Sequence, residues 1–410
     1  MKTQTARVEG ALPDSNDARA GVEPGSFRSD VYNAPAATDE RALVGLPRGA
    51  LPAAPPAFLV RAAMRVRKVL LRCADAVTPA HVVLLEHGFA LTHSLQLGAV
   101  ARKRIADVLQ GGPLSARELA ERTGCDEDAL HRTLRSLASL GVFSLDGQGR
   151  FSNNRLSRAL CSQQRNRVSA MLEYFASASN IAAWVDFPRT LATGRNAFAR
   201  MHGLNVWEWF AAHPAEEMTF ADAMLGVTFN DAPFIAALYP FPEIRCLCDV
   251  GGGRAALLSE LLLRHPHLRG LLYEASSVIP AARGLLEQRG VADRVECVAG
   301  SFFDEVPSGC DAYLLKSVLH DWDDAHVRRI LANVRRAIPA GGRLLLVEMI
   351  LERNERSQPA AGIDVHMMVV CQDGRERSQA DFEALLTASG FRLARVFRGP
   401  MLAVLEALPV

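Results

Sequence analysis

The sequence predicts an α/β protein whose C-terminal part is a doubly wound, mostly parallel sheet and whose N-terminal part is helical and winged-helix-like. Three observations carry this. From about residue 244, strand-like runs at 246–250, 270–273, 295–298, 312–315 and 343–347 alternate with helix-length segments, the pattern of a parallel sheet with crossover helices. The first of these runs ends in Asp249 and leads through Gly251, Gly252 and Gly253 into an apolar-periodic helix, so the backbone can approach a nucleotide-like ligand closely. Upstream, two helical patterns precede a short hairpin pattern.

In chain order, residues 1–57 hold 7 of the 21 prolines and show no sustained periodicity, so they read as disordered. The stretch 60–72 carries Arg61, Arg65, Arg67, Lys68 and Arg72 without an acid. A basic amphipathic helix can sit on a membrane or an acidic partner, but a solvated helix leading into the first domain is the simpler expectation. Residues 1–75 are therefore expected to form a disordered or loosely structured extension, 76–240 a helical domain and 241–410 the ligand-binding domain.

Within the helical part, Ser115 and Glu118 have the spacing of a capping box, and Leu130, Leu134 and Leu137 mark the apolar face of a second helix. Gly141 to Phe151, with a turn at Asp146 and Gly147, reads as a small hairpin. This helix-helix-hairpin order could read DNA through His131, Arg132 and Arg135. However, Glu121, Asp126, Glu127 and Asp128 flank that helix and would repel phosphates. A structural or dimerisation role fits better, without nucleic acid.

Composition bounds the function. The chain has 410 residues, 49% hydrophobic and 22% charged, with a formal net charge of +1, so it can bury a large core and has no general attraction for polyanions. Its eight cysteines form no regular framework and read as reduced. The N-terminus has no apolar core of a signal peptide and no apolar run reaches 18 residues, so a cytoplasmic protein with no membrane association is expected.

Gly251, Gly253 and Ala256 also fit the dinucleotide fingerprint, with Glu274 placed to hold ribose hydroxyls. The loop alone leaves NAD and S-adenosylmethionine open. Motifs further along the chain narrow the choice: Gly300-Ser301-Phe302-Phe303, Lys316, His320-Asp321-Trp322, Gly341-Gly342 leading to Glu348, and Asp373 to Ser378 ahead of a helix. From about residue 80 onward, this ordered series resembles the S-adenosylmethionine-dependent O-methyltransferases of the plant caffeate and flavonoid type and their bacterial polyketide-tailoring relatives. The resemblance implies a homodimer built from the N-terminal helices and a small hydroxylated acceptor. Matched position by position, it implies cofactor contacts from Asp249, Gly251, Gly253, Glu274, Ser301, Phe302 and Lys316. It assigns the catalytic base to His320, with Glu348 and Glu376 holding its ring, and a pocket lined by Phe220, Met224 and Met367. Asp321 either orients the site or caps the helix that begins nearby.

The chemistry asks for such residues. Methyl transfer to oxygen is an in-line displacement, so alignment is the main task. A phenol with a pKa of about 10 is protonated at neutral pH, and a histidine of ordinary pKa, about 6.5, can take that proton. Such a base contributes about 10² to 10⁴ in rate. No metal is expected.

Departures from the family pattern are Ala255 where glycine is usual, Ser301 and Glu274 where aspartate is usual, and His366 inside an apolar run. Ala255 would add a methyl near the cofactor; His366 reads as a core histidine or one facing the acceptor. The competing readings are a relative that binds the cofactor without transferring methyl, a cofactor-sensing winged-helix regulator and an NAD dehydrogenase.

Overall fold

The computed structural model describes residues 48–352, 359–371 and 374–410; for residues 1–47 the expectation of disorder lies outside the described residues. From residue 48 onward the chain is more ordered than a loose extension. Leu51 is buried, its N–H donates to both carboxylate oxygens of Glu260 (3.0 and 3.1 Å) and its C=O accepts from Arg264 at 2.8 Å. Helix α1 (Ala57–Val77) extends beyond the expected 60–72 on both sides, and α2 (Ala80–Arg102) begins after two residues.

A three-stranded wing joins β1 (Leu114–Ser115), β2 (Phe143–Leu145) and β3 (Arg150–Asn153) in the order β1-β3-β2. Helix α3 (Ala116–Thr123) opens on the Ser115/Glu118 capping box, and α4 (Glu127–Ser139) buries Leu130, Leu134 and Leu137 on one face. His131 of α4 packs edge-on against Phe151 at 5.6 Å, and Arg132 pairs with Asp128 at 3.6 Å. Helix α5 (Val168–Phe175) and the long α6 (Pro214–Leu238) then carry the chain to the sheet.

The sheet has seven strands, β4 (Cys246–Val250), β5 (Arg269–Glu274), β6 (Val295–Ala299), β7 (Ala312–Lys316), β8 (Arg343–Glu348), β9 (Phe391–Arg398) and β10 (Ala403–Pro409), ordered β6-β5-β4-β7-β8-β10-β9. Strands β4 to β8 pair in parallel, whereas β10 pairs antiparallel with β8 and β9. The parallel strands are apolar runs because helices cover both faces. One face packs on α9 (Asp324–Ala337) and α11 (Gln379–Ala388), the other on α6, α7 (Ala256–Arg264) and α8 (Ile279–Arg289). Each fully buried Leu or Val here contributes about 1.5–3 kcal/mol. The order reverses at β4, where β5 lies on one side and β7 on the other, so the crevice for a ligand opens beyond Asp249 and Lys316.

The eight cysteines do not all stay reduced: Cys246 and Cys310 form a disulfide with Cα atoms 4.7 Å apart. They lie 64 residues apart in the sequence, Cys246 at the start of β4 and Cys310 two residues ahead of β7, and the β4/β7 pairing brings them together. Among the described residues, no helix is long and apolar enough to cross a membrane.

Candidate active site

At the cofactor end the site is built mainly from backbone. After Asp249 the chain turns through Gly251, Gly253 and Ala255, at φ of 70°, 56° and 61°, a left-handed region glycine enters without cost. Gly252 has the tightest surroundings, since a Cβ there would lie 2.5 Å from the Asp249 carboxylate. Glu274, at the end of β5, reaches back across the turn and accepts from the N–H of Gly253 (2.8 Å) and of Ala275 (2.7 Å). Phe302 lies against Gly251, where a Cβ would be 3.4 Å from its ring, and its C=O is held by the Asn333 amide at 2.8 Å. Ser301 accepts the Phe303 N–H.

Two acids thus sit side by side in a low-dielectric crevice. Burial, and next the Glu274 charge, push Asp249 up to about 7, against the pull of Lys316. Burial also raises Glu274, although the two N–H donors offset part of that. Asp249 Oδ2 is buried without a hydrogen-bond partner, and a buried carboxylate oxygen needs a donor. A ligand rich in hydroxyl and ammonium groups would supply one, so the cradle fits an adenosyl amino acid. Lys316 is paired across the crevice with Asp231 of α6 at 3.6 Å, a partner the sequence reading missed. Ala255 is fully buried among the apolar residues that α6, α7 and α8 pack against the sheet, so its methyl packs into the apolar interior.

The acid/base end is built from side chains that arrive from far along the chain. His320 lies on a turn just past β7, three residues after Ser317 at φ 52°. Its Nδ1 meets Glu376 Oε1 at 2.8 Å, and its Nε2 lies 3.6 Å from Asp321 Oδ1. Glu348 does not hold the ring as expected: its Oε1 accepts the N–H groups of Val318 (3.2 Å) and Leu319 (2.9 Å), so it fixes the turn from below. Arg377, also missed from sequence, is 1% exposed and clamps the same turn by donating to the C=O of Leu319 and of Trp322, both at 2.7 Å, and to Asp324. Gly374 lets its loop close on the turn, since a Cβ there would lie 2.7 Å from the His320 carbonyl. Asp364 of helix α10 (Pro359–Val370) holds the Glu376 N–H at 2.9 Å. The helix after this turn is capped by Asp323, leaving Asp321 beside the imidazole.

The titration of this cluster departs from the ordinary histidine expected. Burial alone would lower His320, but Asp321, Glu376 and Glu348 outweigh it and lift the imidazole to about 10. Burial in turn raises Glu348 to about 7 and Asp321 to about 6, against the attraction of His320.

Aromatic rings line the remaining side. Phe220 on α6 stacks on Phe210 at 4.9 Å and packs against Tyr174 at 5.3 Å and Trp207 at 5.9 Å, and Trp207 stacks on Trp322 at 6.3 Å. Met367 of α10 belongs to the same cluster, while Met224 is half-buried on α6. His366 is buried against Phe175 and Trp184 and meets Tyr174 Oη through Nε2 at 3.3 Å, and burial drops it to about 4.

A family model described as the O-methyltransferase domain matches residues 184–392, and one described as the O-methyltransferase dimerisation domain matches residues 85–163. The chain is 36% identical over 337 residues to the phenazine O-methyltransferase PhzM of Lysobacter antibioticus, with 81% of this chain and 97% of the relative covered. It is 37% identical over 295 residues to a mitomycin biosynthesis 6-O-methyltransferase of Streptomyces lavendulae, covering 71% of this chain and 83% of the relative. The solved structure of CalO1, a methyltransferase in calicheamicin biosynthesis in its SAH-bound form, matches at a TM-score of 0.70 and 32% identity, over 81% of this chain and 98% of that one.

Proposed function

The chain belongs to the S-adenosylmethionine-dependent O-methyltransferases of bacterial secondary-metabolite type, and from that premise we propose that it methylates a hydroxyl of a small aromatic or polyketide-like metabolite with His320 as general base. S-adenosylmethionine supplies an electrophilic sulfonium methyl when bound. Asp249 and Glu274 would accept hydrogen bonds from its donors, Gly251 and Gly253 would leave room for its close approach, and Ser301, Phe302 and Lys316 would border it. Phe220, Met224 and Met367 would contact the acceptor. Residues 76–240 would form the dimerisation unit, a homodimer being supported by the matched dimerisation domain, and 241–410 the cofactor-binding unit.

The observation that carries the base assignment is the short Nδ1 contact of His320 with Glu376 at 2.8 Å, its Nε2 having only the longer approach of Asp321 at 3.6 Å. With Nδ1–H donated to Glu376, Nε2 of an 18% exposed side chain is the nitrogen left to meet an acceptor hydroxyl, and it acts as base in the molecules whose imidazole is neutral. Its acidic neighbours lift the imidazole to about 10, so the neutral, proton-accepting form is the minor one at neutral pH and grows as pH rises. Glu376 stabilises the imidazolium that results, and Asp321 lies beside its second nitrogen.

The test is transfer of label from methyl-tritiated S-adenosylmethionine to a panel of phenols and hydroxylated polycyclic aromatics, with the product mass measured. A gain of one CH₂ supports the reading. Tight S-adenosylhomocysteine binding with no methylated product across the panel counts against it. Full activity of His320→Ala on every accepted acceptor removes His320 from the base role.

A further inference from the structure

The acid that faces the second nitrogen of His320 has a partner of its own. Asp321 Oδ1 lies 3.6 Å from His320 Nε2, and the same oxygen accepts from the Cys371 thiol at 3.6 Å. A thiol is a weak donor, so its effect depends on how firmly it is held. Cys371 directly follows α10. Its N–H donates to the Met367 carbonyl at 2.8 Å, and its C=O accepts at 2.8 Å from Asn196 Nδ2, which also binds the Val369 carbonyl at 3.0 Å. A Cβ on Gly374 would lie 3.0 Å from the Cys371 Cβ, so the loop that leads to Glu376 packs against it. The side chain is thus fixed by both flanks and only 6% exposed.

Burial, and next the Asp321 charge, hold the thiol well above its usual range, so it stays S–H at neutral pH, a donor rather than a competing base or nucleophile. Around Asp321, the imidazole and Cys371 favour the charged carboxylate, whereas burial and Glu376 oppose it. Glu348 of β8 adds further negative charge, and Tyr174 of α5 turns its hydroxyl to His366.

We propose that Cys371 is a positioning residue for methyl transfer that acts through Asp321: its thiol holds the carboxylate beside Nε2 and takes up part of the negative charge. The inference rests on the reading of His320 as the base and adds a residue to it. A donor on Oδ1 stabilises the deprotonated pair, so Asp321 and His320 together release their proton at a lower pH than they would unaided. More of the imidazole is then neutral at any given pH.

Cys371→Ala and Cys371→Ser in the full chain test it, read by NMR titration of nitrogen-labelled histidines, the His320 signal being the one that His320→Ala removes. Alanine is expected to raise the apparent pKa of His320 by about half to one pH unit, and so to lower kcat/KM at neutral pH about three- to tenfold. Serine keeps a donor and should return most of both. Circular dichroism and S-adenosylhomocysteine affinity verify the fold, and Cys371→Val, close in volume but without a donor, gives the same reading if the alanine void disturbs it. An unshifted titration in the donor-free variant overturns the proposal. So does a serine variant shifted as far as alanine, because volume rather than the donor then matters. The titration needs no acceptor, so it is independent of the search for methyl transfer. Full activity of His320→Ala removes the base and this role with it, whereas loss of activity there beside a wild-type titration in Cys371→Ala overturns the role of the thiol alone.

Discussion

The two ends of the crevice solve the same positioning problem with different materials. The proposed cofactor cradle is local: Asp249 to Ala255 are consecutive, and the one acid that reaches in, Glu274, binds an N–H 21 residues away. The His320 turn is remote-controlled, held from Glu348, Glu376 and Arg377, which are 29, 56 and 58 residues from the groups they bind. A local cradle built on backbone tolerates side-chain change. A turn suspended from distant side chains fails when any of them is cut.

That contrast can be broken most sharply at the remote end. His320→Ala is expected to lower kcat by about 10² to 10⁴ while leaving S-adenosylhomocysteine affinity unchanged in calorimetry. The imidazole is protonated below about 10, so its base form is gained as pH rises. Log kcat/KM of the wild type should therefore climb with unit slope toward that value, and the profile of the variant should lose this limb. An identical slope in both would place the titration on the acceptor alone.

Next in size, Arg377→Met leaves the carbonyls of Leu319 and Trp322 without their buried donor. About 3 kcal/mol of stability should be lost in urea unfolding, together with much of kcat. A variant as stable as wild type would show that water replaces the clamp. Asp249→Asn is milder, weakening cofactor binding about tenfold by removing one charge-assisted acceptor. Because burial has moved Asp249 to about 7, its carboxylate form grows as pH rises through neutrality. Wild-type affinity should therefore increase from pH 6 to 8 relative to the variant, and parallel curves would refute the assignment. The smallest effect belongs to Ala255→Gly. Relief of the left-handed backbone, about 1–2 kcal/mol, is offset by loss of a buried methyl, about 0.8 kcal/mol, and by glycine's entropy. Stability should shift by less than about 1 kcal/mol and cofactor affinity not at all. A large gain in affinity would mean that the methyl intrudes on the cradle.

The same contrast explains what the sequence makes legible. The five parallel strands are apolar runs between helical periods and can be read directly, as can the capping box at Ser115 and the glycine loop. Strands β9 and β10 escape such a reading. Five successive residues of β10 are buried, so no alternation marks it, and a register shift between Glu406 and Ala407 breaks its pairing with β9. His320 and Glu376 come from ordered motifs, yet no spacing reveals that Glu348 binds backbone amides while Glu376 binds the ring. Arg377 looks like a solvated loop residue beside Arg375, and its burial is a property of the closed turn. The Cys246–Cys310 bond and the Lys316–Asp231 pair are likewise created by strand order and helix placement.

One contact near the start of the described chain has a practical side. Glu260 is fully enclosed, and two of its contacts come from the Leu51 N–H, the rest from Arg264 and Arg289. Leu51 itself plugs a socket made by Leu225, Phe229, Ala256 and Leu285, directly under the first turn after the glycine loop. The segment ahead of α1 is thus a stopper rather than a trailing end. An expression form trimmed to begin at the first helix would uncork the underside of the glycine turn.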